Sequence, residues 1–240
     1  MTSEFDYLAE NLADVEARIV AACARSGRRR DDVKLIWVSK NHPQEKLVAA
    51  VKLGAKILGE NRVQEVLEKF PLPGDEKTEL HFIGRLQKNK IRKVMPLVTA
   101  FHSIDSIELL LAVNRIAEEL NVMRDVFLQI NTSREGAKGG FEPESLAEEF
   151  SKMKPLSHVK IVGLMTMGPV EPLAGLDGRA SARVCFKELR QYLMDYQGKT
   201  EGLRDLRYLS MGMSDDFETA IEEGSHFIRV GTSLFGMRKL

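Results

Sequence analysis

Cysteine is nearly absent from this sequence. Only Cys23 and Cys185 occur in 240 residues, isolated from each other and outside any Cys-x-x-Cys or Cys/His cluster. That pattern excludes a structural zinc site and leaves two reduced thiols in a cytosolic protein as the expectation. Net charge is absent as well: 35 basic and 35 acidic residues cancel. The balance removes the electrostatic footprint of a nucleic-acid binder or of a protein held on an anionic membrane. No apolar run approaches the roughly 20 residues of a membrane span. The acidic start Met1-Thr-Ser-Glu-Phe-Asp-Tyr7 has neither the apolar core of a signal peptide nor the Arg/Ser bias of a transit peptide. A soluble, untargeted, cytoplasmic protein is expected, with no nucleic-acid and no membrane partner. A low-complexity linker and a composition break are also missing, which favours a single domain over residues 1–240.

What is present is a rhythm. From Thr2 to about Ala24 the apolar residues Phe5, Leu8, Leu12, Val15, Ile19 and Val20 recur at helical steps, with Thr2 and Ser3 as candidate caps. The basic cluster Arg25 to Arg30 reads as the last turn of that helix and its exit loop. Short apolar runs then follow at Leu35–Val38, Lys56–Leu58, Leu80–Ile83, Thr99–Phe101, Val126–Ile130, Val159–Met165, Leu206–Leu209 and Phe227–Val230. Segments of helical period separate them, among them Glu45 to Leu53, Arg62 to Phe70, Ile107 to Leu120 and Arg183 to Tyr196. Eight strands alternating with helices predict a closed (β/α)8 TIM barrel carrying an extra N-terminal helix. An open doubly wound sheet is the alternative, but no Gly-x-Gly-x-x-Gly follows the first strand. The Gly- and Pro-containing stretch from Gly168 to Arg179 is the expected long loop.

In a parallel barrel the chemistry lies at the C-terminal ends of the strands. The last two units put small polar turns there, Ser210-Met211-Gly212-Met213-Ser214 and Gly231-Thr232-Ser233, each opening a helix. Backbone N–H groups and hydroxyls at such turns suit a phosphate monoester. Barrel closure brings the eighth strand against the first, so a phosphate held by Ser210 and Thr232 is expected beside Lys40. A lysine ending a buried strand is either desolvated, which favours the neutral amine that attacks an aldehyde, or has left the strand and snorkels into solvent before Pro43, and spacing alone does not choose between the two. Arg229, inside the last apolar strand, needs an acceptor, either a carboxylate such as Glu60 or a heteroaromatic nitrogen. A phosphate cradle, an amine and a cation facing a ring nitrogen together describe pyridoxal 5'-phosphate (PLP). A Schiff-base aldolase or phosphosugar isomerase would also use the cradle, but leaves Arg229 without a reason.

The segments Val38-Ser-Lys40, Gly59-Glu-Asn-Arg-Val-Gln-Glu65, His81-Phe-Ile-Gly84, Leu86-Gln-Lys-Asn-Lys90, His102-Ser-Ile-Asp-Ser106, Gly163-Leu-Met165, Ser210-Met-Gly-Met-Ser214, Asp216-Phe-Glu218, Arg229-Val-Gly-Thr232 and Phe235-Gly236 resemble those of the PLP homeostasis protein family. The blocks run in the family's order over nearly the whole chain. The resemblance implies a barrel of the alanine racemase N-terminal-domain type, with Lys40 as the Schiff-base lysine. It implies that Ser210, Gly212, Gly231 and Thr232 hold the phosphate, that Arg229 faces the pyridine nitrogen and that Asn61 lines the pocket. Met165, Met167, Met211 and Met213 lie close to strand ends, where a lining against the cofactor ring and plain core packing predict the same residues, and Met165 and Met211 are counted with the cofactor site. Lys138 matches a family lysine near the pocket mouth, in a glycine-rich loop.

Around Lys40 the sequence departs from the family. Trp37 replaces a small residue and is expected to pack against helices. Asn41-His42-Pro43 replaces Thr-Lys-Pro, so His42 either flanks the imine or stays solvated. His81 and His102 are too scattered for metal-ligand spacing, and His226 is expected at the barrel end away from the site.

The family resemblance implies a non-catalytic binder acting in PLP (vitamin B6) homeostasis, with indirect effects on amino-acid and keto-acid balance. PLP-requiring apoenzymes are the expected recipients and a monomer the expected state. A racemase-like enzyme is the alternative. It needs a second acid/base opposite the imine, and none of Tyr7, Tyr192, Tyr196 or Tyr208 is expected there.

Overall fold

A computed structural model describes residues 5–75 and 77–236. Eight parallel strands close into a barrel in chain order, with the last returning to pair with the first. They are β1 (Lys34–Val38), β2 (Ile57–Glu60), β3 (Glu79–Phe82), β4 (Ala100–Ile104), β5 (Arg124–Gln129), β6 (Val159–Met165), β7 (Tyr208–Ser210) and β8 (Phe227–Val230). Around them run α1 (Tyr7–Arg25), α2 (Gln44–Lys52), α3 (Val63–Lys69), α4 (Ile91–Val94), α5 (Ile107–Glu119), α6 (Leu146–Ser151), α7 (Gly178–Tyr196), α8 (Phe217–Glu222) and α9 (Thr232–Phe235). The predicted barrel is therefore the observed one. Each apolar run became a strand, with informative differences at the ends. β4 continues three residues past its apolar run because His102 and Ser103 are polar yet buried inside the barrel. The short helices α4 and α6 carry too few turns to show a period.

The stripe of α1 buries Leu8, Val15, Ile19, Ala22 and Cys23. Val20 does not belong to it: one residue past Ile19 it is turned about 100° around the axis, and it lies in solvent. Asp6 occupies the N-cap position without a side-chain cap bond, and Thr2 and Ser3 lie outside the described residues. α1 straps the end of the chain to the barrel. Asn11 Nδ2 donates to the Leu234 carbonyl at 2.7 Å, and the Tyr7 hydroxyl to that of Phe235 at 3.3 Å. The basic cluster is spent on protein partners. Arg25 pairs with Glu222, Arg30 with Glu16, and Arg28 donates to the carbonyls of Ile221 and Ser225.

Two apolar layers result. Trp37, Leu58, Phe82, Phe101 and Phe186 pack between strands and helices, while Ile36, Ile57, Phe127, Val162, Met165 and Phe227 fill the barrel. Barrel interiors are ordinarily filled by branched aliphatic side chains. This one also encloses His81, His102, Ser210 and Arg229, all buried. The long loop after β6 ends at Asp177, two residues before its expected end, and the Asp177 Oδ1 accepts from the Ala180 N–H at 2.7 Å and opens α7 five residues earlier than expected. Among the described residues no helix is long and apolar enough to cross a membrane.

Candidate functional site

The C-terminal strand ends open on a cleft of about 620 Å³, within the size range of small-molecule sites. Lys40, Asn61, Arg229, Gly231 and Thr232 line it, as do Lys138, Met167, Met213 and Ser214. β1 and β8 lie side by side, Ile36 opposite Arg229, so the lysine and the arginine project from neighbouring strands.

Lys40 is exposed, so of its two readings the desolvated one is corrected and the lysine that has left the strand is the observed one. β1 stops at Val38, Ser39 is the last fully buried residue, and Lys40 enters a turn in which Asn41 has φ +60°. What fixes Lys40 is the clamping of both its neighbours. The Ser39 hydroxyl donates to Glu60 Oε1 at 2.7 Å, and Lys69 Nζ donates to the Ser39 carbonyl at 3.1 Å. On the other side the Asn41 N–H donates to Glu65 Oε2, which Lys69 also holds at 2.6 Å. Burial pushes the Glu60 carboxyl above its usual range against the pull of Lys69. Burial acts on Glu65 in the same sense, but its bonds to Lys69 and Asn41 draw it below the ordinary value.

Glu60 is thereby committed to Lys69 at 2.9 Å and does not pair with Arg229. Arg229 instead donates Nη1 to Ser210 Oγ at 2.8 Å and Nη2 to the Thr166 carbonyl at 2.9 Å. Those bonds use only part of its donor set. Burial draws its pKa down to about 10, so the side chain remains a cation at neutral pH.

The two terminal turns meet at Ser214. Its Oγ accepts from the Gly231 N–H at 3.3 Å and the Ser233 N–H at 3.4 Å, both long for this type of bond. Of the predicted phosphate residues, Gly231 and Thr232 are in the cleft wall, and Ser210 and Gly212 are not. Ser210 ends β7 pointing to the barrel axis, where Arg229 and His102 occupy its hydroxyl. Gly212, at φ +94°, turns the chain against α8: a Cβ there would lie 2.5 Å from that of Ala220. Met165 and Met211 are likewise outside the cleft, Met165 inside the barrel and Met211 in the layer beneath the helices. Met167 and Met213, two residues further along each strand end, line it instead.

Asn61 carries a buried side-chain oxygen without a hydrogen-bond partner, and it borders the cleft. Gly84 packs directly on its backbone, since a Cβ there would come within 2.1 Å of the Asn61 carbonyl oxygen. His42 is half-buried, stacked on Phe235 with ring centres 4.7 Å apart, and faces the same cleft. Lys138 is held by Glu135 and by the Gly168 carbonyl rather than waving in a loop. Trp37 is buried edge-on to Phe235, and His226 borders a separate hollow with Arg28, Lys34 and Tyr208. His81 and His102, far apart in sequence, meet inside the barrel at 2.9 Å. Among the described residues no group of His, Cys, Asp and Glu could hold a metal ion.

An amine, a cation that Asp216 reaches only through space and that no carboxylate hydrogen-bonds among the described residues, converging N–H groups and an orphaned amide oxygen fit a small anionic aldehyde with a heteroaromatic ring. The fold and this site define a barrel of the alanine racemase N-terminal-domain class, and the family model described as "Alanine racemase, N-terminal domain" matches residues 11–239. The alanine racemase of Clostridium difficile shares the fold, with a TM-score of 0.70 at 17% identity over 98% of this chain and 58% of that one. The chain belongs to the pyridoxal phosphate homeostasis protein family. It is 42% identical to the "Pyridoxal phosphate homeostasis protein" of Aquifex aeolicus over 230 residues, covering 96% of this chain and 98% of the relative. The structure of PipY from Synechococcus elongatus with PLP bound matches with a TM-score of 0.82 at 36% identity, over 95% of this chain and all of that one.

Proposed function

We propose that this chain binds PLP in the cleft and serves intracellular PLP homeostasis, holding and delivering the cofactor without chemistry on amino acids. The observation that carries the reading is Arg229, a buried cation on β8 with no carboxylate bound to it, beside the strand that presents Lys40. PLP, when bound, supplies an aldehyde for an amine and a pyridine ring that can draw in electrons. In this reading Lys40 takes the aldehyde as a Schiff base. Ser214, Gly231 and Thr232 hold the phosphate, the Gly231 and Ser233 N–H groups exchanging a long bond to Ser214 for a charged acceptor. Asn61 closes the wall. Arg229 donates to the ring nitrogen and, being a cation, gives it no proton, which weakens the electron sink that racemases and decarboxylases require. PLP-requiring apoenzymes are the recipients, the cytoplasm the compartment and a single chain the working unit.

The test is an absorbance titration with PLP followed by solvent deuterium exchange at Cα of alanine and serine. Uptake with a new band above that of free PLP, and exchange no faster than with free PLP, are expected. A spectrum equal to that of free PLP plus that of the protein removes the binding reading. Exchange faster by several orders of magnitude, lost on Lys40→Ala, makes the protein a racemase-like enzyme.

A further inference from the structure

The barrel interior holds a polar thread that the cleft does not account for. It starts at Arg229, whose Nη1 donates to Ser210 Oγ at 2.8 Å. Ser210 Oγ is 2.8 Å from His102 Nδ1, and His102 Nε2 is 2.9 Å from His81 Nδ1. His81 Nε2 in turn lies 3.1 Å from Glu79 Oε2. Glu79 is the first residue of β3 and reaches solvent at the mouth opposite the cleft. The links between are buried, and Phe127 stacks on His102 with ring centres 4.0 Å apart.

Counting hydrogens gives the thread one direction. The Glu79 carboxylate only accepts, so neutral His81 carries its hydrogen on Nε2 and accepts at Nδ1. His102 must then donate from Nε2 and accept at Nδ1. The Ser210 hydroxyl, which accepts from the Arg229 guanidinium, gives its own hydrogen to His102 Nδ1. With both imidazoles neutral every link is satisfied, and a cation at one mouth is joined to a carboxylate at the other by donors that all point the same way.

We propose that Ser210, His102, His81 and Glu79 form a directional relay that couples the far mouth of the barrel to the hold of Arg229 on the ring nitrogen, His102 and His81 acting as positioning residues. This rests on the PLP reading of the cleft. Drawing on the charge of Arg229 at one end repolarises every link to the other. Protonating His81 reverses the thread. With N–H on both nitrogens it obliges His102 to accept at Nε2 and to carry its hydrogen on Nδ1, which turns the Ser210 hydroxyl away. The charged groups facing these rings are Glu79 on the same strand, Lys34 on β1 and Asp125 on β5 for His81, and Arg229 on β8 for His102. Burial, ahead of these neighbours, keeps both imidazoles below their ordinary range, so the forward thread is the state at neutral pH.

The experiment is ¹⁵N spectroscopy of the histidine rings in the full chain, without and with PLP, beside a PLP absorbance titration of wild type, His102→Phe and Glu79→Gln. Both buried rings are expected as neutral Nε2–H tautomers, and the His81 signals are expected to move when PLP is added. Glu79→Gln, at the surface and remote from the cleft, tests the coupling even if His102→Phe does not fold. It should weaken PLP binding about fivefold, the low end of coupling between separate sites, and shift the pH midpoint of the bound absorbance. An Nδ1–H tautomer at either ring overturns the relay. So does PLP uptake with unmoved His81 signals and an unchanged midpoint in Glu79→Gln. If wild type takes up no PLP, the cleft reading fails first and the coupling with it.

Discussion

Lys69 Nζ lies 2.9 Å from the fully buried Glu60 Oε1 and donates as well to the carbonyl of Ser39, so an ion pair inside the wall sets the strand end from which Lys40 projects. Replacing Lys69 by Met leaves Glu60 and Glu65 without their cation. Breaking one side of a buried pair costs about 3 to 5 kcal/mol. Glu60→Gln, which keeps an oxygen for Ser39, should cost less. Urea unfolding measures both, and a Lys69→Met midpoint equal to wild type would remove the network from the stability of the fold.

Borohydride reduction of the PLP-loaded protein should leave the adduct on Lys40. Lys138 shares the cleft, but its amine is engaged by Glu135 and the Gly168 carbonyl. Peptide mass spectrometry decides between them, and a modified Lys138 beside an untouched Lys40 reverses the assignment.

Ser214→Ala and Thr232→Val should each weaken PLP retention by about 1 to 3 kcal/mol, the scale of a hydrogen bond to a charged group. Ser210→Ala should act differently, because its hydroxyl serves Arg229 and His102 rather than the cleft. Its signature is a changed absorbance of the bound ligand. Equilibrium titration separates the two kinds of effect, and equal affinity in Ser214→Ala and wild type would relocate the phosphate.

Acid should destabilise the fold through its buried histidines. Burial, before any neighbouring charge, holds His226 at about 4 against an ordinary 6.5. A group depressed on folding supports the native state above its unfolded pKa and loses that support as pH falls through the folded one. For His226 the loss runs from about pH 6.5 to about 4 and amounts to roughly 3 kcal/mol. His81 and His102 are depressed too and act in the same direction. Urea midpoints measured between pH 7 and 4.5 should fall, and less steeply in His226→Gln. A flat profile in wild type contradicts the assignment.

The barrel was legible because eight apolar runs at regular spacing leave few alternatives, and because β-strand ends in such a fold point to the chemistry. Lys40, Arg229, Gly231 and Thr232 were read from that rule and Asn61 from the family resemblance, and all five line one cleft. Ser214 was passed over for Ser210 because both are serines in one turn, and only the register of β7 tells which hydroxyl faces the axis. Met165, Met167, Met211 and Met213 were not separable by sequence, because members of each pair stand two residues apart on one side of the chain and only the point where the strand ends tells which lines the cleft. The exposure of Lys40 was legible only as one of two even readings, since the strand stops two residues before it and nothing in Val38-Ser39-Lys40 marks the stop. Nor was the contact of His81 with His102, which depends on the stagger between β3 and β4. The signal available was that both lie at inward positions of adjacent strands.

Barrel closure through β1 and β8 has a consequence in time as well as in space. The amine comes from the first strand and the cation and the small polar turn from the last, so a chain emerging from the ribosome displays Lys40 long before anything exists to hold a phosphate beside it. Until β8 docks and α1 fastens to α9, the strand carrying that lysine has an open edge and the aldehyde has no cradle. In the PLP reading of the cleft, the amine and the phosphate turns therefore come together only when β8 pairs with β1, the last strand pairing that synthesis makes possible.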